Sequence, residues 1–173
     1  KVHNADFSVI VYNFLDILSH ARTETQIIRD LAEDEAAFRS LTRSWFEHSD
    51  LLELMRLLAE RGHTIIITSD HGTIQVDNPV RVQGDRATSS NLRYKTGRNL
   101  GFNQKEVFAI TKPELAHLPK SNITSTYIFA YNRDFFVYPN NTNQFVRYYN
   151  NTFQHGGISM EEMIVPFLVL KPR

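Results

Sequence analysis

Five side chains in three short stretches could together hold a divalent cation. They are Asp16 and His20 in Asp16-Ile17-Leu18-Ser19-His20, Asp70 and His71 in Ser69-Asp70-His71-Gly72, and His155 in Gln154-His155-Gly156-Gly157. Neutral imidazole and carboxylate are suitable zinc donors where no thiolate is available, and they also serve manganese or iron. The chain has no cysteine, which excludes thiolate ligation and a disulfide framework alike. Each motif is weak alone: Asp16 reads equally as a helix cap with His20 on the surface, and a histidine before two glycines as a turn residue. Their joint occurrence at strand-to-loop junctions points to one metal site.

The element that must present Asp70-His71 is Thr64-Ile65-Ile66-Ile67-Thr68, a β-branched run that reads as a buried strand. In open α/β sheets, ligands gather beyond the carboxyl ends of the strands. Phe7–Leu15 reads as a central strand closing on Asp16. If the chain turns helical there, the i,i+4 spacing puts Asp16 and His20 on one helix face. Between the two runs, Thr23–Leu41 is rich in helix formers, with Glu33, Asp34 and Glu35 as a solvated face. Ser49 N-caps an amphipathic helix over Asp50–Arg61, which Gly62 stops. Strand, helix, helix, strand predicts a parallel pair with a right-handed crossover. Asp16 and Asp70-His71 would then emerge at the same sheet edge.

Residues 77–101 are polar and predicted to be irregular, with Arg81, Arg86, Arg93, Lys95 and Arg98 facing only Asp77 and Asp85. Arg grips phosphate oxygens bidentately, Lys acts as a point charge, and Tyr94 can stack on a base. Arg86, Arg93, Tyr94, Lys95 and Arg98 are therefore the candidate substrate-binding residues, and a merely solvated loop is the equal alternative. Further on, Gln104–Ile110 reads as a short helix and Pro113–Leu118 as a turn or helix with His117 at the surface. Ser125–Tyr131 and Phe135–Tyr138 read as an aromatic-rich hairpin turning at Asn132-Arg133-Asp134. Phe145–Tyr149 is helical or irregular. Ser159 caps a short helix, with Glu162 at the capping-box position. Ile164–Leu170 is a final strand that Pro166 assigns to an edge.

The bulk numbers narrow the classes. At 173 residues and 42% hydrophobic content with zero formal net charge, the chain suits one α/β core that buries roughly two-thirds of its unfolded surface. Zero net charge says nothing for or against a nucleic-acid or membrane partner, so any argument for phosphate binding must be local. No apolar run approaches the roughly 20 residues needed to span a bilayer. The Asn-x-Thr triplets at Asn122, Asn140 and Asn150 read as chance. Because Lys1 leads almost directly into an apolar run, the chain is expected to be a piece of a larger protein.

The ordered set Asp16-x-x-x-His20, then Asp70-His71-Gly72 after an apolar strand, then His155-Gly156-Gly157 resembles the alkaline phosphatase superfamily. The nearest branch is PglZ, whose C-terminal signature is similar to Gln154-His155-Gly156-Gly157-Ile158-Ser159-Met160-Glu161-Glu162-Met163. The likeness covers nearly the whole chain and extends to bacterial response regulators that carry a PglZ domain. It implies an α/β fold with a mainly parallel sheet flanked by helices, residues 1–173 forming the C-terminal portion of one such domain. It also implies two zinc ions: Asp16, His20 and His155 on one, and Asp70 and His71 on the other, with a further Asp and a Thr or Ser nucleophile from upstream. Neither Asp6 nor Ser8 fits those two roles, and Thr68, Ser69 and Thr73 do not match the nucleophile's place.

The expectation is therefore a phosphodiesterase or phosphatase in the parent, with no catalytic nucleophile in this chain and little activity of the chain alone. Tyr94 and its neighbouring cations favour nucleotide-like or oligonucleotide phosphodiesters over other phosphate esters. The same resemblance implies an upstream receiver domain as partner and the bacterial cytoplasm as compartment, with no membrane contact, and leaves a homodimer open. The alternative is a catalytically silent, metal-stabilised regulatory domain that binds a nucleotide or a protein.

Overall fold

The computed structural model describes residues 6–84 and 88–172. The first half is helical: α1 Phe14–Glu24, α2 Gln26–Leu31, α3 Glu35–Glu47 and α4 Asp50–Glu60. Asp34 caps α3 through Ala37 N–H, and Ser49 caps α4 through Leu52 N–H. Gly62, at φ +80°, follows the end of α4, a backbone conformation that glycine adopts without steric cost. The helix expected over Thr23–Leu41 is thus split, with the break at the extended Thr25 and a second one before the Asp34 cap.

Phe7–Tyr12 is not a strand. The segment has no regular secondary structure and no ladder partner among the described residues, and Phe7 and Val11 are 79% and 80% exposed. High β-propensity makes a strand only where another strand offers hydrogen bonds. The helix α1 starts at Phe14 instead, where the Phe14 ring stacks on Trp45 of α3 at 4.0 Å between centroids.

The strands that follow are β1 Ile65–Thr68, β2 Ile74–Val76, β3 Asn78–Arg81, β4 Tyr94–Arg98, β5 Val107–Ile110, β6 Ser125–Ala130, β7 Asp134–Val137, β8 Thr152–Gln154 and β9 Phe167–Leu170. Between them lie a 3₁₀ turn at Pro113–Ala116 and the helices α5 Thr142–Tyr149 and α6 Met160–Met163. They form small sheets, ordered β1-β9, β2-β8, β3-β7 and β4-β6-β5. Only β3-β7 is parallel among these pairs. The mainly parallel sheet and the parallel partner of β1 are therefore corrected: β1 pairs antiparallel with β9, Ile65 opposite Leu170. Both strands of that pair leave apolar side chains exposed, including Ile66 and Phe167 through Leu170.

Two further expectations fail for identifiable reasons. Gln104–Ile110 contributes β5, because Phe108 and Ala109 face Phe129 and Ile128 of β6. The hairpin of β6 and β7 does not close, because Leu92 and Arg93 lie between the two strands. Leu92 C=O accepts from Phe136 N–H at 2.8 Å, and Arg93 C=O accepts from Ala130 N–H at 2.8 Å. The strand β7 is buried on both faces, as a continuous apolar run in a parallel pair should be. Phe136 packs with Val80, Val82, Val107, Ile128 and Ala130, while Phe135 and Val137 pack with Ile74, Val76 and Leu92.

Candidate metal centre

Two structural devices bring the candidate ligands together. The first is the β2–β8 pair, which ends at Ile74 opposite Gln154. Beyond that point the two chains continue side by side, so His71 on the approach to β2 meets His155 on the exit from β8. Their rings stack at 3.8 Å with 10° between planes. The second device is Arg22 of α1, which is buried and donates to the carbonyls of Ala32, Glu33 and Asn151. Its guanidinium also lies 4.7 Å over the Phe153 ring. These contacts press α1 onto β8, and the helix presents Asp16 toward the histidines.

Asp16 sits in the first turn of α1, where the helix dipole favours a negative charge. Its Oδ1 lies 3.5 Å from His20 Nε2 one turn on, and 4.0 Å from His155 Nε2. One donor atom each from Asp16, His71 and His155 lies within 4.8 Å of the other two. Asp70 is 3.8 Å from His71 Nε2 and is 89% exposed at its side chain, while His71 Nδ1 contacts the Gly72 carbonyl at 3.0 Å. Burial, and then the neighbouring His71, hold the His155 pKa below its ordinary value. The neutral imidazole favoured in this way is the form that donates a lone pair to a cation.

The donor set fits a metal. Ligand atoms of one tetrahedral zinc, each about 2.1 Å from it, stand about 3.4 Å apart. The Asp16–His20 contact matches that spacing and the Asp16–His155 contact needs a closure of about 0.6 Å, while His71, within 4.8 Å of both Asp16 and His155, is near enough to serve a neighbouring ion.

The glycines serve close approach. A Cβ on Gly72 would sit 2.0 Å from the Glu161 carbonyl oxygen, and Gly72 N–H donates to Glu162 C=O at 2.8 Å. Gly156, at φ +102°, turns the chain after His155, and Tyr94 and Asn91 lie against it. Glu162, at the third position of α6, reaches back to Ser159 N–H at 3.2 Å and Gly157 N–H at 2.9 Å. Its carboxylate also takes both arms of Arg93, at 2.8 and 2.7 Å. Burial alone would raise the Glu162 pKa, but the bonds from Arg93 and Ser159, with the Arg93 charge, outweigh it and hold the pKa below the ordinary carboxylate value.

The expected substrate residues divide. Arg93 is fully buried, its guanidinium filled by Glu162 and by the carbonyls of Tyr131 and Asp134. Lys95 is buried too, its ammonium bonded to Ser89 C=O at 3.0 Å and 4.8 Å from the Tyr138 ring centroid, with burial lowering its pKa to about 8. Both side chains depart from the expected substrate-binding role and from a solvated loop alike: the segment that reads as a polar loop enters the β4-β6-β5 sheet and turns these side chains inward. Tyr94 is half-buried beside Gly156, and Arg98 is exposed and donates to Asn122. Arg86 lies outside the described residues. The sequence reading missed Asn91, whose amide donates to the His155 carbonyl at 3.3 Å, and the inward partner of Glu162. The capping-box position marked Glu162, but no spacing signal ties it to Arg93.

Residues 2–170 match the family model described as the BREX system PglZ alkaline phosphatase-like domain. No curated protein matches the chain. With nearly its whole length covered, the chain belongs to the PglZ family.

Proposed function

We propose that this PglZ-family chain provides the metal-binding face of a hydrolase of phosphate esters. The observation that carries the reading is the convergence of Asp16, His71 and His155, from three distant segments, within 4.8 Å. Asp16, His20 and His155 would hold one cation, and Asp70 with His71 a second. All-nitrogen and oxygen donors suit zinc first, then manganese or iron. A pair of such ions neutralises phosphoryl charge and activates the attacking oxygen. The chain's own residues favour the neutral form of His155, set Asp16 between two imidazoles, and hold the His155 turn against Tyr94. That half-buried ring beside the centre supports nucleotide-like phosphodiesters as the substrate class, with Arg98 as an exposed cation for a further phosphate. The Thr or Ser nucleophile and the remaining Asp come from upstream in the parent. The broader reading is an output domain of a bacterial cytoplasmic response regulator, partnered by a receiver domain.

Elemental analysis of the purified chain beside His20→Ala/His155→Ala tests the centre. Bound zinc that is lost in the double variant supports it. An absence of bound metal after zinc is supplied, in this chain and in a longer one, would overturn it. A longer chain that binds zinc but leaves a chromogenic phosphodiester intact would instead favour a silent regulatory domain.

A further inference from the structure

We infer that the buried Arg93–Glu162 ion pair, with Asn91, acts as the positioning element of the His155 ligand, so that cation affinity depends on residues that never touch the cation. The inference rests on the metal-centre reading and adds to it what sets the ligand's place.

The turn after His155 has no regular secondary structure to fix it, and its two glycines give it wide conformational freedom. Two hydrogen bonds to the turn, themselves anchored, remove that freedom. Asn91 Nδ2 holds the His155 carbonyl, while Asn91 Oδ1 is itself fixed by Arg93 N–H at 2.7 Å and Tyr94 N–H at 3.1 Å. Glu162 Oε1 accepts from Gly157 N–H, and the same oxygen accepts from Arg93 Nε. Arg93 is in turn tied to the carbonyls of Tyr131 and Asp134. The pair is 0% and 1% exposed at its side chains, and among the described residues no buried side-chain polar atom lacks a partner. Gly157 is closed in by the same two residues, since a Cβ there would sit 2.8 Å from both Arg93 Nη2 and Glu162 Oε2. His155 is thereby referenced to the wedge between β6 and β7 rather than to its own loop. Groups that orient ligands from outside the coordination sphere commonly alter metal affinity 10–100-fold when removed.

A general loss of stability must be separated from a loss of positioning. Replacing both members of a buried ion pair by apolar residues often leaves stability intact, whereas removing one member does not. The test is therefore Arg93→Met/Glu162→Met in the full chain, with zinc affinity measured by chelator competition and folding by thermal midpoint. The ring-proton NMR shifts of His71 and His155 are read in the metal-free protein, where their stacking should leave a mutual ring-current signature. The expected result is a chain that still unfolds cooperatively, with a midpoint lowered by the backbone groups that lose Arg93 and Glu162 as partners, zinc binding weakened at least about 10-fold, and loss of that signature. Wild-type affinity with unchanged ring shifts would overturn the inference and leave the pair a fold element only. Should the double variant fail to fold, Asn91→Asp decides. It keeps both acceptor bonds, loses the donor to His155, and is expected to weaken zinc about 5-fold, the worth of one hydrogen bond. Unchanged affinity and ring shifts there would also refute the inference. A wild-type protein that binds no zinc, as this chain and as a longer one, sinks the metal reading instead, and the ring shifts of the variants then decide the positioning by themselves.

Discussion

The region around His155 and the β1–β9 pair present opposite solutions to burial. Around His155 the interior holds charges: Arg22, Arg93 and Lys95 are among the largest fully buried side chains. In β1–β9 and in Phe7–Tyr12 the apolar residues face outward. Each buried cation has carbonyls, a carboxylate or an aromatic face around it, and each exposed strand residue lacks a covering layer. Burial in this chain follows what an element can pair with rather than how apolar it is. A charge enters the interior only with its partners, and an apolar strand stays at the surface until another element packs on it.

The largest effect that would sharpen this contrast is expected from Glu162→Ala. Leaving Arg93 buried and unpaired should cost about 3–5 kcal/mol in urea unfolding. A loss no greater than that of an exposed β9 substitution would break the comparison. Next comes Gly72→Ala, whose added methyl meets the Glu161 carbonyl. Overpacking of that kind should cost about 1–3 kcal/mol, and hydrogen exchange should show α6 loosening first.

Acid should act on the same side of the molecule. His155 has a folded-state pKa below its ordinary 6.5, so in the metal-free protein its share of stability is complete above about pH 6.5 and is lost as pH falls below it. Glu162, also held low, adds a second loss below about pH 4.5. The measurement is thermal midpoint against pH, and a flat profile from pH 7 to 4 would contradict both. Lys95→Met should raise stability by about 1 kcal/mol at neutral pH, since burial disfavours the ammonium. That gain should shrink above pH 8, as the wild-type lysine loses its proton. The smallest change is expected from Phe167→Ser on β9, within about 0.5 kcal/mol.

The contrast also explains what could be read from sequence. The caps Ser49 and Ser159, the stop at Gly62, the position of β1 and the Asp16-to-His20 spacing are local, and each stands where its residue types place it; the burial expected of β1 is not found, since Ile66 is exposed. The β6–β7 hairpin and the phosphate-gripping Arg93 and Lys95 were misread, because both depend on the Leu92–Arg93 wedge, a contact across distant sequence. Phe7–Tyr12 was misread for the converse reason: its residues promise a strand, and strand formation belongs to a pair. Of the site, ligand types and motifs were visible, whereas the Asn91 and Glu162 supports were not.

The wedge also carries a consequence for the order in which the protein is made. Arg93 leaves the ribosome 69 residues ahead of Glu162, and Asp16 and His71 precede His155 by still longer stretches or comparable ones. A nascent chain therefore carries the Arg93 guanidinium without Glu162, and four of the five candidate ligands without His155, until residues 155–162 emerge. Domains complete themselves when their last long-range contacts become available. In this protein the Arg93–Glu162 pair and the approach of His155 to Asp16 and His71 become available together, once synthesis has run past Glu162.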